Sequence, residues 1–344
     1  MKIIDLRSDT ITLPTDEMRR AMFEAEVGDD VYGEDPTMNK LEAMAAKITG
    51  KPAALFTTSG TQSNLIAILS STKHGDEVLM GSESHTFWNE VAGPACLGGV
   101  QMRTLPNADD GTIDPDEFVA AVRPKNIHFP VTTLLLLENT HNRCGGSVLT
   151  VEYTKKMCDL AHANGVKVHL DGARLFNAAI ALGVPAAKLA EHADTVCFCI
   201  SKGLSAPVGS LLCGSAEYIE RARKWRKMLG GGMRQAGIIA AAGVVALDKM
   251  VDRLAEDHAN AKRLAFGLAN VPGIGIAPEK VQTNIVMFRP PAGMDASELL
   301  NRLGAKGVKC SRGIGQNIRA VTHRHITAAD VDETIERVKA ALAK

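Results

Sequence analysis

Residues 194–209, DTVCFCISKGLSAPVG, carry the reading of the fold. Positions 196–200 form an apolar strand that ends abruptly at Ser201-Lys202-Gly203. A lysine at the end of a buried strand is costly while charged, and desolvation favours its neutral, nucleophilic form, as a Schiff-base lysine requires. A lysine that only caps a surface turn is the commoner case, so the reading depends on partners elsewhere in the chain. Working back from this stretch, apolar strands at 166–170, 134–137, 100–105, 77–80 and 53–57 alternate with helical segments. The run Leu134-Leu135-Leu136-Leu137 is the pattern of a strand covered on both faces. Strand–helix alternation with polar residues gathered at strand C-termini predicts an α/β fold: a doubly wound, mostly parallel sheet with its site along the carboxyl edge.

Forward of the stretch, a strand at 208–213, a helix at 216–228, a Gly230-Gly231-Gly232 break and a helix at 233–250 complete the large unit. Beyond about residue 254 the pattern changes to a long polar helix, strands at 283–288 and 318–322, and helices at 296–306 and 328–343. The predicted division is 1–250, an N-terminal arm with the large domain, and 251–344, a small α+β domain. At the other end, Asp16 is the expected N-cap of a helix at 17–26. The polar cluster Asp5, Arg7, Ser8, Asp9 and Thr10 marks an arm pinned against something.

Composition narrows the function classes. The chain has 344 residues, zero formal net charge and no basic block, which argues against nucleic acid or an anionic membrane surface as partner. The alanine-rich segment 236–247 is too short to span a bilayer, and MKIIDLRSDT lacks the apolar core of a leader peptide. Seven scattered cysteines with no CxxC fit a reducing, cytoplasmic setting. Cys197 and Cys199, two apart on a strand, face one side and read as packing. His323 and His325 are also two apart on an expected strand, but no third ligand accompanies them, so no metal is expected.

Lys202 has company. Asp171 closes the strand one strand–helix–strand unit earlier. Ser59-Gly60-Thr61-Gln62-Ser63-Asn64 follows the strand 53–57 and opens a helix at 65–71. Such a turn presents free backbone N–H groups and a positive helix end to an anion. His85 lies just past a third strand end. A lysine amine, a carboxylate for a pyridinium nitrogen, a phosphate cup and a group to cover the ring are the fixed points that pyridoxal 5'-phosphate needs.

The stretches Leu6-Arg7-Ser8-Asp9-Thr10, Asp30-Val31-Tyr32-Gly33-Glu34-Asp35-Pro36, Ser59 to Asn64, Glu138-Asn139-Thr140-His141-Asn142, Asp171-Gly172-Ala173-Arg174, Ser201-Lys202-Gly203-Leu204 and Gly230-Gly231-Gly232-Met233-Arg234-Gln235 together resemble the low-specificity L-threonine aldolases. These are fold-type I pyridoxal-phosphate enzymes of the aspartate aminotransferase superfamily. The resemblance implies retro-aldol cleavage of L-threonine, L-allo-threonine and related β-hydroxy-α-amino acids to glycine and an aldehyde. It implies that Lys202 binds the cofactor covalently, Asp171 pairs with its ring nitrogen, and Ser59, Gly60 and Thr61 hold its phosphate. His85 would stack on the ring near the substrate hydroxyl. Ser8, Arg174 and Arg319 would hold the substrate carboxylate, with Arg174 also beside the cofactor; a planar guanidinium suits that task. The family forms homotetramers with shared sites, so Tyr32, Lys227 and Arg234 are expected to reach a neighbour's cofactor and substrate. His85, His128 and a phosphate-bound water are the candidates for the base. The alternatives are a β-eliminating lyase, a serine hydroxymethyltransferase-like enzyme, or a protein of this fold that only binds the cofactor.

Overall fold

A computed structural model describes residues 2–343. Twelve strands occur in chain order. They are β1 (Ile4–Asp5), β2 (Ala53–Thr57), β3 (Glu77–Gly81), β4 (Gln101–Leu105), β5 (Thr132–Glu138), β6 (Lys167–Asp171), β7 (Thr195–Cys199), β8 (Ser210–Gly214), β9 (Ile285–Phe288), β10 (Val308–Lys309), β11 (Ser311–Arg312) and β12 (Ile318–Val321). Seven of them form the main sheet in the order β2-β8-β7-β6-β5-β3-β4. β8 pairs antiparallel with both β2 and β7, and the remaining pairs are parallel. The C-terminal ends of β2, β3, β5, β6 and β7 therefore share one edge. This is the expected architecture: Leu134 to Leu137 are buried, as are all five residues of β7.

The helices begin where side chains satisfy free N–H groups. Ser59 accepts from Gln62 N, so the helix after β2 runs Gly60–Ser71 and starts five residues before the expected 65. Near the N-terminus the cap is Thr15, not Asp16: Thr15 accepts from Met18 N, and Asp16 occupies the first turn of Asp16–Phe23. A carboxylate there faces the positive helix end. Asp35 caps two helices at once. Its Oδ1 accepts from Met38 N at 2.9 Å and its Oδ2 from Gly237 N at 2.7 Å. That second bond starts the helix Gly237–Lys249 four residues later than expected.

The two largest apolar cores are separate. One packs helices against the main sheet, from Met18 to Leu254. The other joins Ala261, Leu264, Phe288, Leu299, Val331 and Val338 around the three-stranded sheet β11-β12-β9. Ile4 and Leu6 belong to this second core, and β1 pairs in parallel with β10. The N-terminal arm thus crosses from the C-terminal part of the chain to the edge of the main sheet. No helix among the described residues is long and apolar enough to cross a membrane.

Candidate active site

The carboxyl edge of the sheet gathers the groups singled out in the sequence. Asp171 ends β6, 3% exposed, with Oδ1 accepting from Ala173 N at 3.0 Å and Oδ2 from Asn64 Nδ2 at 2.8 Å. Lys202 follows β7. Its carbonyl accepts from Thr12 Oγ1 at 2.8 Å and from Ser205 N at 2.9 Å, which fixes the backbone beneath the amine. Lys202 Nζ has no ion-pair partner among the described residues. The helix Gly60–Ser71 points its N-terminus at the same edge, and the first N–H groups of a helix have no intrahelical partner. A Cβ on Gly60 would meet Cys199 Sγ at 2.8 Å, so only glycine lets the helix start settle this close to β7. Cys197 and Cys199 both face this helix.

His85 opens a short helix after β3. Glu138 Oε2 accepts from its backbone N–H at 2.7 Å, and Glu138 Oε1 accepts from Asn142 N at 2.8 Å. The ring Nδ1 lies 2.8 Å from Glu90 Oε1. Burial disfavours protonation of this ring, but the hydrogen bond to Glu90 and the nearby charges of Asp171, Glu90 and Glu138 outweigh it and raise the pKa above the ordinary value. Burial also raises the Glu90 carboxyl. Donor atoms of His85, Glu90 and Asp171 all lie within 4.8 Å of one another.

Beside this floor lies a cationic corner. Arg174 forms a two-pronged pair with Asp9: Nε to Oδ2 at 2.8 Å and Nη2 to Oδ1 at 2.7 Å, both residues buried. Asn284 Nδ2 adds a bond to Asp9 at 3.2 Å. Burial alone would raise the Asp9 carboxyl. The charges of Arg174, Lys202 and Arg319, with the Arg174 hydrogen bond, drive it far below the usual carboxylate range. Nη1 of Arg174 donates to Asn142 Oδ1 at 3.2 Å, which leaves one N–H on each terminal nitrogen for a ligand. Arg319 donates to the same Asn142 oxygen at 2.9 Å and to the Arg7 carbonyl at 3.2 Å. It has no acidic partner among the described residues, and its Nε is buried without a hydrogen bond. Burial, then the Arg174 charge, lower its pKa to about 10. A desolvated cation without an anion is costly, so this corner suits a carboxylate. Ser8 is next to the Arg7 carbonyl that Arg319 touches, and its Oγ caps the turn Asp9–Ile11.

Other expected residues lie elsewhere within the chain. His128 is exposed in the loop before β5. Because β5 runs parallel to its neighbours, that loop sits at the opposite end of the sheet from Asp171, so His128 does not reach its own chain's site. Tyr32, Lys227 and Arg234 are exposed. Arg234 Nη1 pairs with Asp29 Oδ2 at 2.9 Å, and Asp30 pairs with the buried Arg226 at 2.6 Å, so the Tyr32 loop and the glycine-rich loop are tied together. The glycine-rich loop presses on the cup: a Cβ on Gly231 would lie 2.4 Å from Gln62 Nε2. His323 and His325 follow β12 rather than lying on it. His323 Nε2 bonds the Asp5 carbonyl at 2.9 Å, and His325 Nε2 accepts from Leu13 N at 3.1 Å; they pin the arm.

Sequence reasoning did not single out Asp9 as the partner of Arg174, or Asn64, Glu90, Glu138 and Asn142 as supports. Asp9, Asn64, Glu138 and Asn142 lie inside quoted motifs but meet partners distant in the chain, and Glu90 lies five residues past His85.

Comparison with known proteins now adds to this geometry. A family model for beta-eliminating lyases matches residues 5–290 and defines the class. Low-specificity L-threonine aldolase 1 of Arabidopsis thaliana is 47% identical over 99% of this chain and 97% of its own length. The low specificity L-threonine aldolase of Escherichia coli (strain K12) is 42% identical over 99% of this chain and 100% of its own. A threonine aldolase structure from Leishmania major shares the fold, with a TM-score of 0.84 at 19% identity, covering 98% of this chain and 99% of that one. Within the beta-eliminating lyase class, the chain belongs to the low-specificity L-threonine aldolase family.

Proposed function

We propose that this chain is a pyridoxal-phosphate-dependent aldehyde-lyase that cleaves L-threonine, L-allo-threonine and related β-hydroxy-α-amino acids reversibly to glycine and an aldehyde. The observation that carries the reading is the meeting of Lys202, Asp171 and the Gly60 helix start on one sheet edge, in a chain of this family. The residues fit the cofactor. Lys202 would hold it through its amine, Asp171 would face the ring nitrogen, and Ser59, Gly60 and Thr61 would take the phosphate. When bound, the cofactor supplies an electron sink for the pair released as the Cα–Cβ bond breaks.

The chain's own residues do the rest. Arg319, Nη1 of Arg174 and Ser8 hold the substrate carboxylate, which sets the scissile bond in its reactive orientation. His85 would cover the ring face of a bound cofactor and take the β-hydroxyl proton as that oxygen becomes the aldehyde carbonyl; Glu90 and Glu138 fix its place. Asp9 keeps Arg174 aligned, and Thr12 steadies the Lys202 backbone. Residues 1–250 and 251–344 are the large and small domains in this reading, with the arm spanning both.

The assembly is a cytoplasmic homotetramer in which Tyr32, Lys227 and Arg234 contribute to a neighbouring site. Supporting this, exposed apolar side chains accompany them: Phe23 at 90%, Tyr32 at 74% and Met228 at 72% exposure. The unpaired thiols fit a reducing compartment.

Borohydride reduction of the cofactor-loaded protein tests the cofactor assignment: label appears on Lys202 and disappears in Lys202→Ala. Glycine and acetaldehyde in equal amounts from L-threonine support the aldolase. Pyruvate and ammonia from serine, or a requirement for a folate carrier, would replace that reading with one of the alternatives. Sedimentation giving a monomer would overturn the tetramer.

A further inference from the structure

Asn64 lies one turn inside the helix Gly60–Ser71, 1% exposed, and every hydrogen-bonding position of its amide is used. Nδ2 donates to Asp171 Oδ2 at 2.8 Å and to Glu90 Oε1 at 2.9 Å. Oδ1 accepts from His169 Nε2 at 3.1 Å and from Cys197 Sγ at 3.2 Å. The amide orientation follows from these partners: turned over, its oxygen would face two carboxylates. The tautomer of His169 follows as well. Nε2 carries the proton given to Asn64, and Nδ1 accepts from Thr195 Oγ1 at 2.8 Å. Burial holds this ring neutral, with its pKa lowered to about 4.

The two carboxylates held by Asn64 serve two different groups of the same site. Asp171 is the ring-nitrogen partner in the reading above, and Glu90 holds His85 by Nδ1. Glu90 is itself 3% exposed, and its Oε2 is buried with no partner, so Asn64 and His85 are its only polar supports among the described residues. The chain immediately after Glu90 is strained: Val91 and Ala92 both take left-handed backbone, at φ 56° and 52°. That conformation is unfavourable for a β-branched residue and persists only where surroundings impose it.

We propose that Asn64 is the positioning residue of this site: one buried amide that fixes Asp171 directly and His85 through Glu90, so that the group meant for the ring nitrogen and the group meant to cover the ring keep one mutual geometry. The proposal rests on the pyridoxal-phosphate reading. It requires that breaking the amide alters how the cofactor is held as well as the rate.

The test uses purified, cofactor-loaded protein and the variants Asn64→Ala and Glu90→Leu. Visible absorbance, visible circular dichroism of the bound cofactor, cofactor dissociation by dialysis against free pyridoxal phosphate, and kcat and KM for L-threonine are measured. Asn64→Ala is expected to weaken cofactor binding about tenfold and lower kcat at least about tenfold while KM moves less than about threefold, because the loss falls on the ring contacts and not on the carboxylate corner. Glu90→Leu cuts only the His85 branch. It is expected to change the visible circular dichroism while cofactor affinity falls less than in Asn64→Ala. Should Asn64→Ala not fold, Glu90→Leu decides: a dichroism spectrum identical to the parent's overturns the proposal. Cofactor affinity, dichroism and kcat within about twofold of the parent in Asn64→Ala also overturn it. A parent protein that shows no visible cofactor band overturns the underlying reading and this inference together, and so is distinguishable from failure of the variants alone.

Discussion

Replacing Asp9 by asparagine keeps the side chain's size and removes one charge from a buried, two-pronged ion pair. Asp9 is fully buried and Arg174 is 6% exposed, so neither group can turn to water for compensation. Removing one member of a buried pair costs about 3–5 kcal/mol, because the other charge is left unpaired in a poor solvent. Asparagine retains one acceptor for the guanidinium, which returns about 1 kcal/mol. Its amide hydrogens, however, oppose the second N–H of the fork. The net expectation is a loss of about 2–4 kcal/mol. Urea denaturation followed by fluorescence of the two tryptophans measures it. The double variant Asp9→Asn/Arg174→Gln should lose clearly less than the two single losses added together, since the second change removes the orphaned charge. A control is available on the surface: Lys155 and Asp159 form an ion pair with side chains 51% and 57% exposed, and Asp159→Asn should change nothing measurable. If Asp9→Asn loses less than about 1 kcal/mol, or the losses simply add, the pair does not hold this corner together and the reasoning fails.

Gly60→Ala should weaken cofactor binding about tenfold, because the new methyl group meets Cys199 Sγ at 2.8 Å and pushes the helix start off the sheet edge; Cys199→Ala in the same chain should recover most of the loss in an equilibrium titration. Arg319→Gln should raise KM for L-threonine by about 10–100-fold with a smaller change in kcat, as expected when a charged contact to the substrate is lost; an unchanged KM would place the carboxylate elsewhere. His169 titrates at about 4 in the folded state against 6.5 when free, so the unfolded chain binds the extra proton first and stability falls as pH drops from 6.5 to 4. At about 1.4 kcal/mol per pH unit the share is about 3 kcal/mol, and the stability gap between the parent and His169→Gln should narrow over that window. A gap that stays constant with pH would show that the ring is not held neutral.

The sheet was legible because its strands are short apolar runs closed by polar residues. Lys202, Asp171 and His85 could be found because each sits just past such a run, at the end where parallel strands place ligands. His128 is the complementary case: it precedes its strand, as the sequence indicates, and strand direction carries it to the other end of its own chain's sheet. Helix starts shifted wherever a cap was one residue or more from the apolar pattern, as with Thr15 and Ser59. Asn64 could not be read from sequence. It looks like one more small polar residue in a turn, and its partner Asp171 is 107 positions away. Asp9 is a more distant case, joined to Arg174 across 165 positions. Short-range pattern reports elements and their polarity; it carries no record of which buried polar groups will meet.

The arm that supplies Asp9 has a consequence for how the protein is made. Its residues leave the ribosome ahead of the distant partners they later engage, among them Arg174, Lys202, Asn284, Val308, Val321, His323 and His325. Until those segments are synthesised the arm has nothing to grip, and closing loops of such length is slow. The residues of the main sheet are all made before β12, but the corner of Asp9, Arg174 and Arg319 is complete only after it. A chain that ends before β12 lacks Arg319 and the C-terminal groups that hold the arm in place.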